Sequence, residues 1–249
     1  MRILIENLGH STFLVKLGGL EILTDPFLSE SAGGIKRVVP PARSPEELSP
    51  DVVLISHAHY DHLDLKTLYR LGGKFEVLTP KNCQKVIKEK KVKELDYFET
   101  VEYKGISFTL VPARHNRGRN IVYPDTKVGG FIVEWRGTTI YFAGDTAFSE
   151  HLYNLVSSKF KVDIAMLPIG GFLPAIFRRF HQTPEEAVKG FKILRAKVLI
   201  PIHYGTWHVI PFYVRKERAV ERLLSYSYIS QIKSRVSVIY PGKKREIEI

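Results

Sequence analysis

The stretch Ser56-His57-Ala58-His59-Tyr60-Asp61-His62 follows directly on Val52-Val53-Leu54-Ile55. A short β-branched run of that kind is a strand buried on both faces, which requires a sheet covered by further layers. Three imidazoles and a carboxylate therefore leave the end of a rigid strand within six residues. His57 and His59 are two apart, so in extended backbone they point the same way. Once the chain turns, Asp61 and His62 aim at a second point nearby. One segment can thus supply two ligands to each of two metal ions. Four groups do not complete two such sites, so partners are expected at other strand ends. Three residues stand there: His115 after Val-Pro-Ala-Arg, Asp145 in Gly144-Asp145-Thr146, and His203 after Val198-Leu199-Ile200-Pro201-Ile202.

Composition narrows the chemistry. The 249 residues hold nine His but one Cys, Cys83, which excludes a disulfide framework and any Cys-rich zinc finger. Metal binding must then run on imidazole and carboxylate, donors that suit zinc, manganese or iron better than calcium. There are 37 Lys+Arg against 26 Asp+Glu, a formal charge of +11. That excess leaves open an anionic partner or a lysine-rich surface. Residues 213–249 alone hold nine Lys/Arg and four Glu, outside the motifs above. No apolar run is long enough to span a bilayer, and Met1-Arg2-Ile3-Leu4-Ile5-Glu6 meets an acid too early for a signal peptide. The expectation is a cytoplasmic protein of one domain covering 1–249.

The remaining pattern predicts layered α/β structure with its chemistry on loops. A hairpin is expected over 11–17 and 20–24 around Gly18-Gly19. Further strands are expected at 106–111, 131–135, 139–142, 164–167, 198–202 and 236–240. Residues 80–91 read as helical by composition. Thr183-Pro184-Glu185-Glu186 is a capping-box helix start, with Ala187, Phe191 and Leu194 on one buried face. Residues 215–226 predict an amphipathic helix with a cationic outer face.

Taken in order, His57-x-His59-x-Asp61-His62, His115, Gly144-Asp145-Thr146 and His203 resemble the metallo-β-lactamase superfamily. Within it, several stretches resemble the branch of N-acylphosphatidylethanolamine-hydrolysing phospholipases D. They include Leu23-Thr24-Asp25-Pro26, Leu167-Pro168-Ile169-Gly170, His181 with Pro184-Glu185-Glu186, and Ile202-His203-Tyr204-Gly205-Thr206. The ascorbate-6-phosphate lactonases resemble it more distantly. The resemblance implies an αββα four-layer sandwich with a dinuclear site at one edge. It implies His57, His59 and His115 on one metal, Asp61, His62 and His203 on the other, and Asp145 bridging. It gives Asp61 and His181 catalytic roles, Asp61 holding the nucleophile and His181 facing the substrate. His10 and Asp25 would support the site without binding metal. His151 and His208 have no argued role.

The function so implied is a hydrolase with two divalent ions, zinc foremost and manganese or iron as alternatives, using a metal-bridging hydroxide. Phosphodiester substrates of phospholipid type are preferred; lactone, ester or sugar-phosphate hydrolysis is the alternative. The interval from Asp145 to His203 is too short for the inserted cap of RNA-processing relatives. No clustered Lys/Arg motif with stacking aromatics points to nucleic acid. Residues 172–180, where bulky apolar groups flank Arg178 and Arg179, would meet an anionic small molecule, a lipid or a membrane surface, or simply cap the core.

Overall fold

Alternation of buried and half-buried residues in the first fifty positions builds three antiparallel strands, β1 (Arg2–Gly9), β2 (Thr12–Leu17) and β3 (Leu20–Thr24). A small hairpin, β4 (Ser31–Ala32) with β5 (Ile35–Lys36), follows. The chain then adds β6 (Val52–Leu54), β7 (Glu76–Pro80) and β8 (Val92–Leu95), each parallel to the strand before it in the sheet. This computed structural model describes residues 1–87, 92–116, 119, 122–123, 125–171, 178–207 and 218–249. Among them, a second sheet is formed by β9 (Thr100–Tyr103), β10 (Ile106–Pro112), β11 (Gly129–Trp135), β12 (Thr138–Phe142), β13 (Ile164–Pro168) and β14 (Val198–Ile202). The last strand, β15 (Lys244–Glu248), returns to pair with β1. The two sheets run β15-β1-β2-β3-β6-β7-β8 and β14-β13-β12-β11-β10-β9.

Both sheets are buried on two sides. Their inner faces meet in one core containing Ile3, Ile5, Phe13, Phe108, Leu110, Phe131 and Phe142. Against the outer face of the second sheet pack α2 (Glu150–Lys159), α3 (Pro184–Leu194) and α4 (Arg218–Ile229), through Val156, Phe191 and Leu223. The outer face of the first carries α1 (Leu65–Arg70) through Leu68. Strand β6 shows why both cores need it: Val52 and Leu54 enter the inner core, Val53 and Ile55 the outer one. This is the α/β/β/α sandwich expected.

Two local expectations change, and two lie partly outside the described residues. Pro80 ends a strand, and the predicted helix shrinks to a 3-10 turn at Cys83–Lys85. Asn82 before it sits at φ 70°, and Glu94 takes the Gln84 N–H, so no longer helix forms there. Residues 88–91 lie outside the described residues. The run 236–240 makes a single bridge, Leu199 to Val236, instead of a strand. The Ile239 carbonyl is taken by the Asn7 amide and the Tyr204 hydroxyl. Helix α4 begins at Arg218 and runs past 226, and residues 215–217 lie outside the described residues. Finally, 172–177 also lie outside them, leaving Arg178 to Phe180 of the apolar-cationic loop as an exposed turn.

The capping box is as read. Thr183 Oγ1 accepts the Glu186 N–H at 3.2 Å, and the Glu186 carboxylate accepts the Thr183 N–H at 2.7 Å.

Candidate metal centre

Pairing makes β1, β3 and β6 run one way in the first sheet and β10, β12, β13 and β14 run one way in the second, and bonds from the His203 N–H to the His10 carbonyl and from the Gly129 N–H to the Ser56 carbonyl join those strand ends at one edge of the sandwich. The turns leaving that edge carry His10, Asp25, His57 to His62, His115, Asp145, His181 and His203.

Three imidazoles converge first. His57 Nε2 lies 2.7 Å from His59 Nδ1, and His115 Nε2 lies 3.0 Å from the same atom. Their outer nitrogens are already committed. The Phe180 carbonyl accepts from His115 Nδ1 at 2.8 Å. Ser56 donates its hydroxyl to Asp25 Oδ2 at 2.6 Å, so at its 2.8 Å contact with His57 Nδ1 it accepts. Burial, then repulsion from neighbouring imidazoles, holds the His57 ring well below its ordinary pKa. Burial likewise brings His115 down to about 3. Both rings are therefore neutral at pH 7, and two lone pairs face His59 Nδ1, which can satisfy only one of them. A cation satisfies all three.

A second group gathers His10, Asp61, His62 and His203, whose donor atoms lie within 4.8 Å of one another. His62 Nδ1 donates to Asp25 Oδ2 at 2.7 Å, turning Nε2 inward. His10 Nδ1 lies 2.9 Å from Thr206 Oγ1, and His10 Nε2 is 3.2 Å from Asp61 Oδ2. His10, assigned a supporting role from the sequence, thus stands among the donors themselves. Asp25 remains behind them, where it also accepts the Ser56 N–H at 2.7 Å. One buried carboxylate so orients His62 directly and His57 through Ser56. The signal for Ser56 was a lone hydroxyl closing an apolar run.

Asp145 stands between the groups. Its Oδ2 is 3.1 Å from His203 Nε2, 3.2 Å from His62 Nε2, 3.4 Å from His181 Nδ1 and 3.8 Å from His115 Nε2. Burial alone would raise its carboxyl, but His203, His62 and His181 outweigh that and hold it well below the usual carboxylate range. Gly144 lets this turn close. A Cβ there would lie 2.4 Å from Ser56 Cβ, and the backbone sits at φ 58°.

Whether ions fit can be read from what lacks a partner. Asp145 Oδ1 is buried without a hydrogen bond, and the inward nitrogens His10 Nε2, His62 Nε2 and His203 Nε2 meet only carboxylate oxygens, at 3.1 to 3.2 Å. Groups of this kind are costly unless paired or metal-bound. His10, Asp25 and His203 also hold left-handed backbone, at φ 60°, 32° and 54°. The His203 N–H bonds the His10 carbonyl at 3.1 Å, and the Asp25 N–H that of Leu54 at 2.8 Å, which keeps these turns in place. The donor set therefore fits two divalent ions of imidazole–carboxylate preference. His151 is exposed on α2, and His208 lies outside the described residues.

His181 occupies the rim, partly exposed and lowered to about 4 by burial. Its neighbour Gln182 is fully buried, donating to the Pro168 carbonyl and accepting from Tyr153. A Cβ on Gly171 would lie 2.2 Å from the His181 carbonyl. That close approach fixes where the imidazole emerges.

Burial of neutral imidazoles sets a pH dependence. Between pH 6.5 and about 3 the unfolded chain takes up protons at His10 and His115 that the folded chain refuses. The metal-free protein is expected to lose stability as pH falls through that window and to be unaffected by these two groups above it. Thermal melting of chelated protein from pH 7.5 to 4 checks this; a melting temperature constant across the range would contradict it.

Comparison with known proteins agrees with this geometry. Residues 21–204 match the family model described as the beta-lactamase superfamily domain. A metal-dependent hydrolase of Methanopyrus kandleri is 35% identical over 213 residues, covering 82% of this chain and 84% of that protein. An N-acyl-phosphatidylethanolamine-hydrolyzing phospholipase D of Caenorhabditis elegans is 33% identical over 224 residues, covering 80% of this chain and 63% of that protein. Among solved structures, the metallo hydrolase Igni18 of Ignicoccus hospitalis shares the fold, with TM-score 0.74 and 22% identity over the whole of both chains. The chain belongs to the metallo-β-lactamase superfamily and is a metal-dependent hydrolase.

Proposed function

We propose that the protein is a phosphodiesterase acting on anionic, phospholipid-like substrates, with residues 1–249 serving as one catalytic unit. The observation that carries the reading is Asp145 flanked by two groups of ring nitrogens, with His181 on the rim beside them and the exposed Arg178 and Arg179 shortly before it in the chain. The similar Caenorhabditis elegans protein, named for its action on a phospholipid, supports the same substrate class. His57, His59 and His115 would hold one ion, Asp61, His62 and His203 the other, and Asp145 would face both. Two divalent cations, zinc being the expected pair, would polarise a phosphoryl oxygen and activate the attacking water.

The chain's own residues then do the following. Burial would raise the Asp61 carboxyl, but its contact with His10 and the charge of His62 hold it well below the usual range. It is therefore an ionised acceptor that holds and orients the water through one of its O–H groups, too weak a base to keep the proton. The water oxygen bonds to phosphorus, the bond to the leaving alcohol breaks, and the alcohol oxygen takes the proton. His181, neutral at pH 7, donates an N–H to the phosphoryl oxygen as charge develops there. Arg178, Arg179 and Phe180 are exposed and offer two cations and an aromatic edge to a headgroup or an anionic membrane surface. Among the described residues no helix is long and apolar enough to cross a membrane, so such contact would be peripheral.

Metal-replete protein screened on bis-p-nitrophenyl phosphate, a phospholipid and a lactone tests this. Phosphodiester hydrolysis, lost on chelation and restored by zinc, is the expected result; hydrolysis of the lactone alone would contradict it. In the double variant Arg178→Ala, Arg179→Ala, KM for the phospholipid is expected to rise about 3- to 10-fold with kcat nearly unchanged, because exposed charges contribute modestly. An unchanged KM would remove these arginines from substrate binding.

A further inference from the structure

Arg119 lies in the connection between β10 and β11, four residues after His115. Its side chain crosses to the segment that follows β6. Nε donates to the Ala58 carbonyl at 2.9 Å and Nη2 to the Leu63 carbonyl at 2.7 Å. The guanidinium carbon sits 4.1 Å from the centre of the Tyr60 ring. Ala58 and Leu63 are fully buried and bracket His59, Tyr60, Asp61 and His62. Within that bracket the backbone makes one tight turn, the N–H groups of His62 and Leu63 both reaching the His59 carbonyl. Arg119 closes it from outside.

Its own backbone is fixed as well. The Arg119 carbonyl accepts from the N–H groups of Val122 and Tyr123 at 3.0 and 2.8 Å. A planar guanidinium that donates in two directions and stacks on an aromatic ring holds the spacing of its partners in a way a lysine cannot. The same connection carries His115, whereas the bracketed turn carries His59 and follows His57. Arg119 is thus a side-chain tie between the two segments that supply one three-imidazole group. His62 and His203 depend on it less, because Asp25 holds the His62 ring and the β14 turn, bonded to His10, holds His203.

We propose that Arg119 is a positioning residue that sets affinity for the ion held by His57, His59 and His115. The inference rests on the proposed two-ion site. Competition between a chromophoric chelator and metal-free protein for zinc tests it, with melting of the metal-free protein measured in parallel. Wild-type protein should take up two zinc ions; uptake of none would overturn the two-ion reading itself. In Arg119→Ala one zinc should bind about 10- to 100-fold more weakly while the other stays within about 3-fold. Arg119→Lys, which keeps the charge but only one of the two bonds, should fall between. Both zinc affinities within 2-fold of wild type in Arg119→Ala would overturn the proposal. So would equal weakening of both ions, or a loss of affinity found only together with loss of the folded state in both variants.

Discussion

Asp145→Ala should reduce hydrolysis by at least about 10³-fold even at saturating zinc. The reason is placement. One carboxylate oxygen lies 3.1 to 3.8 Å from ring nitrogens of His203, His62, His181 and His115, so its loss strips charge from both donor groups at once. Burial works against ionising Asp145, and the surrounding imidazoles overcome it. Conversely, burial lowers His62, while Asp145 and Asp25 outweigh it and raise that ring well above its ordinary pKa. Asp145→Asn preserves volume and removes only the charge, so it should lose nearly as much activity. Turnover assayed in variants whose zinc content has been measured decides the matter. Activity within 10-fold of wild type at equal zinc content would remove Asp145 from the centre.

The second large effect is expected from Asp25→Asn. Asp25 is fully buried and accepts three hydrogen bonds: from the Ser56 N–H, the Ser56 hydroxyl and His62 Nδ1. An amide offers one acceptor oxygen and one donor nitrogen in the same space. Whichever way it turns, its NH2 group meets a donor. That buried mismatch costs about 1–3 kcal/mol of stability. It also releases His62 directly and His57 through Ser56, so both zinc affinities should fall about 10- to 100-fold. Ser56→Ala, by contrast, should weaken only the group that contains His57. Chelator competition separates these outcomes, and wild-type affinities in Asp25→Asn would contradict the role given to the carboxylate.

Much of the centre was legible because its residues recur in one local context. A buried β-branched run followed by closely spaced imidazoles predicts a strand end bearing donors, and β6 with His57 to His62 is that arrangement. His115, Asp145 and His203 repeat it on β10, β12 and β14. The α3 cap was legible because Thr183, Pro184 and Glu186 act within a single turn. Other features depend on contacts distant in sequence. His10 reads as a residue that supports the site from behind until its positive φ and the His203 N–H bring it beside Asp61. Arg119 sits among other basic residues, and nothing local distinguishes it from a solvated surface arginine. Its partners lie 61 and 56 positions away. Residues 80–91 read as a helix by composition alone, and in the described part, 80–87, a strand end and an Asn82 turn stand instead. The apolar 236–240 run has the content of a strand, but side chains from β1 and the β14 turn occupy its Ile239 carbonyl.

The central claim is that two divalent ions are held at one edge of the sandwich by groups meeting at Asp145. Anomalous scattering at the zinc edge from crystals of zinc-loaded protein tests it most directly. Two peaks are expected, one among His57, His59 and His115 and one among Asp61, His62 and His203, with Asp145 between them. A single peak, or zinc bound only elsewhere on the molecule, would contradict the account.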